Sequence, residues 1–376
     1  MYRQTLPAAA ALAGILLAGL ACGGSTATST TLASQPTSSQ AAGIAPDAAL
    51  PRGERVLGID VSEAEDGDYN RAFSLAREAG MQVTSLSLSW DDIEISPGVY
   101  EPDPDFLTIA NLYYPQVDTA LNLGVHPLDT AVDRRPADLQ DKPFDDPEVI
   151  QRYKLLLDYV FSQIPDLELE SLAIGNEIDG VLGGDPAAWQ AYGRFFEVAA
   201  AHARSLRPEV DIGTKIMYAG LMSNAMPVIR PLHDSSDVVM ATYYPLNPDF
   251  GVRPPEVVIE DLAALVAAYP EKPILLLEVG YPSSPLLESS EAKQAEFIRH
   301  LFEAWDNHPD AIRLISITWL TDTSEDSLAV YADYYGLADE NFIAFLATLG
   351  LRNRDGAGSD KPAFQQLRLE AQARGW

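Results

Sequence analysis

The sequence predicts an α/β fold, a single (β/α)8 TIM barrel over residues 54–376, and two observations lead there. Eight apolar runs of strand length recur between Val56 and Leu320, and segments with helical spacing of apolar residues separate them. Runs that are apolar at nearly every position belong to parallel strands covered on both faces, and eight strand-helix units close a barrel. A doubly wound open sheet is the competing arrangement of the same elements.

The runs are VLGIDV from Val56, QVTSLSLSW from Gln82, TALNLGVH from Thr119, LESLAIGNE from Leu169, VDIGTKIM from Val210, DVVMATYY from Asp237, KPILLLEVG from Lys272 and IRLISITWL from Ile312. Amphipathic segments follow several of them, among them Asp146 to Ile164, Asp185 to Leu206 and Ser289 to Asn307, each opening on an Asp or Ser suited to cap a helix N-terminus. The final segment, from Lys361 to Trp376, supplies the last helix.

Ahead of the barrel, residues 1–22 carry Arg3, an apolar stretch from Leu6 to Ala21 and then Cys22, the pattern of an export signal. The stretch falls short of the roughly 20 residues of a comfortable membrane span. It resembles a bacterial lipoprotein signal, which implies lipidation at Cys22, although Gly19 stands where such signals usually have leucine; cleavage and release is the alternative. Cys22 is the only cysteine, so no internal disulfide can form. Residues 23–53 are rich in Ser, Thr and Ala, too poor in large apolar side chains to fold, and are expected to form a disordered tether. The expected location is the cell envelope or the exterior, with membrane contact only through the anchor.

The formal charge of −30, from 55 acidic and 25 basic residues in 376, repels phosphate backbones, so nucleic acid is excluded as a partner. Nothing points to an oligomer, and a monomer is expected. No second His or Cys lies at ligand spacing from His126, so neither metal nor cofactor is expected. Nucleophile-elbow serines and phosphate-binding loops are missing as well.

In barrels of this kind the site lies at the C-terminal ends of the strands. The polar and aromatic residues that close the runs are Trp90, His126, Asn176 with Glu177, Tyr243 with Tyr244, Glu278 and Trp319. Glu177 and Glu278 each follow a buried run, where a carboxylate is costly unless paired or functional. Two such carboxylates suit cleavage of a glycosidic bond, one as acid/base and one as nucleophile. At a separation of about 5 to 5.5 Å the reaction retains configuration. Adjacent strand residues face opposite ways, so only one of Tyr243 and Tyr244 can point inward.

The Asn-Glu pair ending the fourth run and the Glu ending the seventh resemble the clan of retaining (β/α)8 glycoside hydrolases, over roughly residues 55 to 375. Within the clan, GNEIDGVL, VHPLDTAVDRRP and DVVMATYYP look like motifs of the endo-β-1,4-galactanase (arabinogalactanase) family, while LLLEVGYPSS looks like the β-1,3-glucanase family. The resemblance implies Glu177 as acid/base and Glu278 as nucleophile. It implies substrate-binding roles for Asn176, His126, Tyr243 or Tyr244, and Trp319, on a polysaccharide or oligosaccharide such as β-galactan or β-glucan. Relatives usually carry an arginine on strand two, and TSLSLSW has none. That departure leaves open a catalytically silent barrel that binds glycan or a surface partner. A lipoprotein solute receptor, which has two open-sheet lobes, fits the eight successive units less well.

Overall fold

The computed structural model describes residues 43, 46, 49–355 and 358–376. The export signal expected over 1–22, with Cys22, and most of the tether expected over 23–53 lie outside the described residues.

The strands are β1 (Val56–Ile59), β2 (Val83–Ser89), β3 (Ala120–Asp129), β4 (Leu169–Asn176), β5 in two segments (Asp211–Gly213 and Lys215–Met217), β6 (Val239–Tyr243), β7 (Ile274–Val279) and β8 (Ile312–Ile317). Each pairs in parallel with its neighbours, and β8 returns to β1 in register from Val56 opposite Leu314 to Ile59 opposite Ile317. The first segment of β5 bonds to β4 and the second to β6, which closes the barrel.

The helices of two turns or more are α1 (Tyr69–Glu78), α2 (Phe106–Tyr113), α3 (Pro147–Gln163), α4 (Pro186–Leu206), α5 (Met226–Ser235), α6 (Val257–Ala268), α7 (Glu291–Asn307), α8 (Glu325–Tyr335), α9 (Glu340–Ala347) and α10 (Pro362–Arg374), with single turns at Trp90–Ile93, Asp179–Leu182 and Tyr218–Leu221. Side chains set their starts: Asp146 accepts from the Glu148 amide ahead of Pro147, Asp185 from Ala187 ahead of Pro186, and Ser290 from Lys293. At the end of α10, Gly375 takes the left-handed conformation, φ 88°, that lets the last amides fold back.

Alternation along the strands sorts side chains into two layers. Outward residues such as Leu57, Leu121, Leu172, Ile274 and Ile315 merge with the helices into the main core. Inward, Val83, Ala173, Met240, Leu275, Leu277 and Leu314 fill the barrel. Ser171 donates to Asn122 at 2.8 Å within the same interior. The helices α8 and α9 are additions to the barrel plan. They follow β8, pack against Trp319, Tyr244 and Phe250, and cover one side of the mouth.

One carboxylate ties the first strand to the last two helices of the ring. Asp306 near the end of α7 accepts from Arg55, just ahead of β1, at 2.7 Å, and from Arg374 on α10 at 2.6 and 3.0 Å. Both guanidiniums are almost wholly buried, and Arg55 lies over the stacked rings of Trp305 and Trp376. Removing the acid leaves the buried Arg55 with backbone carbonyls alone, while Arg374 keeps only its pair with Glu370. Asp306→Ala should therefore destabilise the fold by about 3 to 5 kcal/mol, measured by urea unfolding.

Candidate active site

The C-terminal end of β4 leaves the strand through two left-handed residues, Gly175 (φ 91°) and Glu177 (φ 42°). A Cβ at position 175 would meet Ile178 and the Tyr192 hydroxyl at 2.6 Å, so only glycine fits there. A glutamate held at positive φ costs about 1 to 3 kcal/mol, strain of the kind that collects at functional sites. Neutral hydroxyls hold its carboxylate: Thr242 donates to Oε1 at 2.7 Å and Thr130 to Oε2 at 2.9 Å. Burial, and then the charge of Glu278, push the Glu177 carboxyl up to about 7.

Glu278 reaches the interior through a bulge in β7. Ala241 of β6 stands opposite Leu276, but Thr242 stands opposite Glu278, so one extra residue enters β7 and reverses its alternation. Thr242 thus pairs with Glu278 across the sheet while its hydroxyl bonds Glu177, which fixes the two carboxylates side by side. The surroundings of Glu278 differ from those of Glu177. Lys215 on β5 donates to its Oε1 at 2.7 Å, and the Tyr244 hydroxyl donates to Oε2 at 3.1 Å. Burial works to lower the Lys215 ammonium, yet the charge and hydrogen bond of Glu278 outweigh it and the net shift is upward. The carboxylate keeps 26% of its side-chain surface exposed, so the ion pair leaves it open to the cavity.

That cavity, about 570 Å³, spans the mouth between the β2 loops and α8. Asp60, directly after β1, lies on its floor with the Trp319 side chain hydrogen-bonded to it. Burial and the nearby Glu278 push its carboxyl up to about 7. His126 lines the cavity with Nε2 unpartnered, and burial, then Lys215, lower its imidazole to about 3, so it is neutral. Its ring folds over Gly124, where a Cβ would stand 2.2 Å from Nε2. Asn176 donates to Asp129 at 2.7 Å, and Tyr334 of α8 donates to the other Asp129 oxygen at 2.6 Å. Despite its burial, the Asp129 carboxyl lies below its usual range, through His126 and these hydrogen bonds.

Asn176, His126, Glu278 and Trp319 line the cavity together, whereas Glu177 and Tyr244 are not among its lining residues and sit behind it, bonded to Thr242 and Glu278. Two expected substrate contacts are not there. Trp90 is 0% exposed, packed on Tyr153 and donating to Glu94 at 2.7 Å, because β2 ends at Ser89 and the indole enters the helix layer. Tyr243 faces outward from β6 and donates to Asp261 of α6 at 2.8 Å, so Tyr244 is the inward member of the pair. Of the two arginines in DRRP, Arg134 pairs with Asp91 and Asp92 on the cavity wall, and Arg135 folds back on Asp133.

Sequence reasoning missed Lys215, Asp60 and the tyrosines of α8. A lysine inside the apolar run VDIGTKIM is itself a signal, since a lone ammonium in a barrel interior requires a carboxylate. The α8 tyrosines leave no such trace.

No protein-family profile matches the chain, and no curated protein matches it. Solved structures do. An exo-β-1,4-mannosidase from Opitutaceae bacterium strain TAV5 is 16% identical over 85% of this chain, with a TM-score of 0.64, and the chain spans 59% of that protein. A family 39 glycoside hydrolase from Bacteroides cellulosilyticus WH2 is 15% identical over 87% of this chain and 66% of its own, with a TM-score of 0.61. A GH5_18 protein from Streptomyces cattleya, solved with Manb1-4GlcNAc, is 16% identical over 85% of this chain and 80% of its own, with a TM-score of 0.66. At such identities the likeness establishes the fold: the chain is a (β/α)8 barrel of the form these glycoside hydrolases share.

Proposed function

We propose that the chain is a retaining glycoside hydrolase acting on a β-linked glycan, with Glu278 as nucleophile and Glu177 as acid/base. One observation carries this reading: two adjacent carboxylates with opposite partners, Glu278 on the Lys215 ammonium and Glu177 on two neutral hydroxyls. Such a division sets a carboxylate paired with a cation beside a carboxyl whose proton is retained up to about pH 7. In the first step Glu278 attacks the anomeric carbon, the glycosidic bond breaks, and Glu177 gives its proton to the departing oxygen. The Glu278 charge is then consumed in the glycosyl ester, which removes one cause of the raised Glu177 carboxyl. Glu177 becomes the base that takes a proton from water as water displaces Glu278 and restores it.

The lysine also bears on the silent-barrel alternative. That reading rested on the missing strand-two arginine, and Lys215 supplies a cation to the nucleophile from strand five instead. Tyr244, Asn176, His126 and Trp319 would contact or orient the sugar. The export signal and tether read from the sequence would place the enzyme in the cell envelope or outside it, on extracellular glycan.

Three outcomes are expected. Glu278→Gln and Glu177→Gln should each lower kcat/KM on aryl β-glycosides by about 100-fold or more while the thermal midpoint stays near wild type; a wild-type rate in either variant refutes the assignment. Because Glu177 must carry its proton, kcat/KM should fall on the alkaline side as pH rises through about 7, which a pH-rate profile measures. Lys215→Met removes the positive neighbour of Glu278, so the acid limb of the same profile should move to higher pH.

A further inference from the structure

Among the described residues the walls of the cavity carry eight carboxylates and no lysine or arginine, whereas the whole chain has about two acids per base. Cations from behind the wall neutralise some of them: Arg134 pairs with Asp91 and Asp92, Arg354 with Glu63, and Lys215 with Glu278. Among the described residues Glu101 and Asp103 on the rim, both exposed, have no such partner, and Asp60 on the floor feels the charge of Lys215 without pairing to it.

A second feature is independent of the charge. Asn176 is 9% exposed and lines the cavity; its Nδ2 is committed to Asp129, so the orientation of the amide is fixed and Oδ1 is left as an acceptor without a donor. A buried acceptor of this kind takes a donor from water or from a bound ligand. Aromatic faces complete the wall. Trp319 and Tyr331 stack at 6.0 Å with 11° between their planes, and Tyr114, Tyr334 and Tyr335 also line the space. Rings and unpaired acceptors together suit an apolar sugar face that bears an ammonium group.

We infer that the glycan taken by this cavity carries free amino groups, as a β-linked chain of de-N-acetylated hexosamine does, and that acidic sugars are turned away. The inference rests on the glycosidase reading for turnover, but recognition of the amine is testable without it. The ammonium would lie against the rim carboxylates Glu101 and Asp103, and its charge would favour the ionised form of Asp60 deeper in the cavity. Charged neighbours that oppose it are few: Lys215 is held by Glu278, and His126 is neutral.

The test measures calorimetric binding of β-1,4-linked glucosamine oligomers, their N-acetylated counterparts and glucan and galactan oligomers of equal length to the full chain, with hydrolysis of each followed in parallel. Mildly acidic buffer keeps the amines protonated. The aminated oligomer should bind at least about tenfold more tightly than the neutral ones, and the advantage should shrink as added salt screens the charges. Glu101 and Asp103 make no hydrogen bond or ion pair, so the double variant Glu101→Gln with Asp103→Asn keeps the fold. It should weaken aminated ligands by about threefold to tenfold and leave neutral ones unchanged. Equal or tighter binding of neutral oligomers, or no binding of the aminated one, overturns the inference. Cleavage of neutral glycans alone overturns it and leaves the hydrolase standing, whereas selective binding of amines with no cleavage of any glycan upholds it and removes the hydrolase.

Discussion

Closure of the sheet at β5 is the constraint from which the site follows. The strand is broken at Thr214, so one half bonds β4 and the other bonds β6, and neither half alone would complete the ring. Its path leaves little room: a Cβ on Gly213 would come within 2.9 Å of the Met240 sulfur. The second half carries Lys215, the cation that holds Glu278. The segment that closes the sheet onto β6, Lys215–Met217, therefore also carries the cation of the mouth.

Three carboxyl groups, Asp60, Glu177 and Glu278, crowd around that one ammonium. In a medium of low dielectric like charges so close cannot all ionise, and the arrangement of partners decides which ones do. Lys215 contacts Glu278 directly, and the other two, through burial first and the charge of Glu278 second, are both pushed up to about 7. Two chemically identical side chains thus have different partners because of their position on the ring.

Much of the barrel was legible in the sequence because parallel strands buried on both faces must be apolar at most positions. All eight runs match strands within a few residues, and the caps at Asp146, Asp185 and Ser290 begin helices where their side chains can accept amide protons. Glu177 and Glu278 were legible as acids that end such runs. The inward turn of Glu278 was not: strict alternation puts it on the side of Leu276, and the bulge that reverses it is a property of the pairing with β6. The same limit explains Trp90, which strand periodicity carries to the mouth but which begins a short helix instead. Tyr331, Tyr334 and Tyr335 approach the cavity through a tertiary contact of α8, far from the strands in sequence, and no local pattern announces it.

The clasp at Asp306 has a consequence for how the molecule presents itself. Leu50 donates its amide to this same carboxylate, and Arg55 precedes β1, so the chain joins the barrel at the base, where strands begin. The cavity opens at the other pole, where strands end. The point where the chain enters the barrel and the point where a ligand would enter therefore lie at opposite poles, and neither obstructs the other.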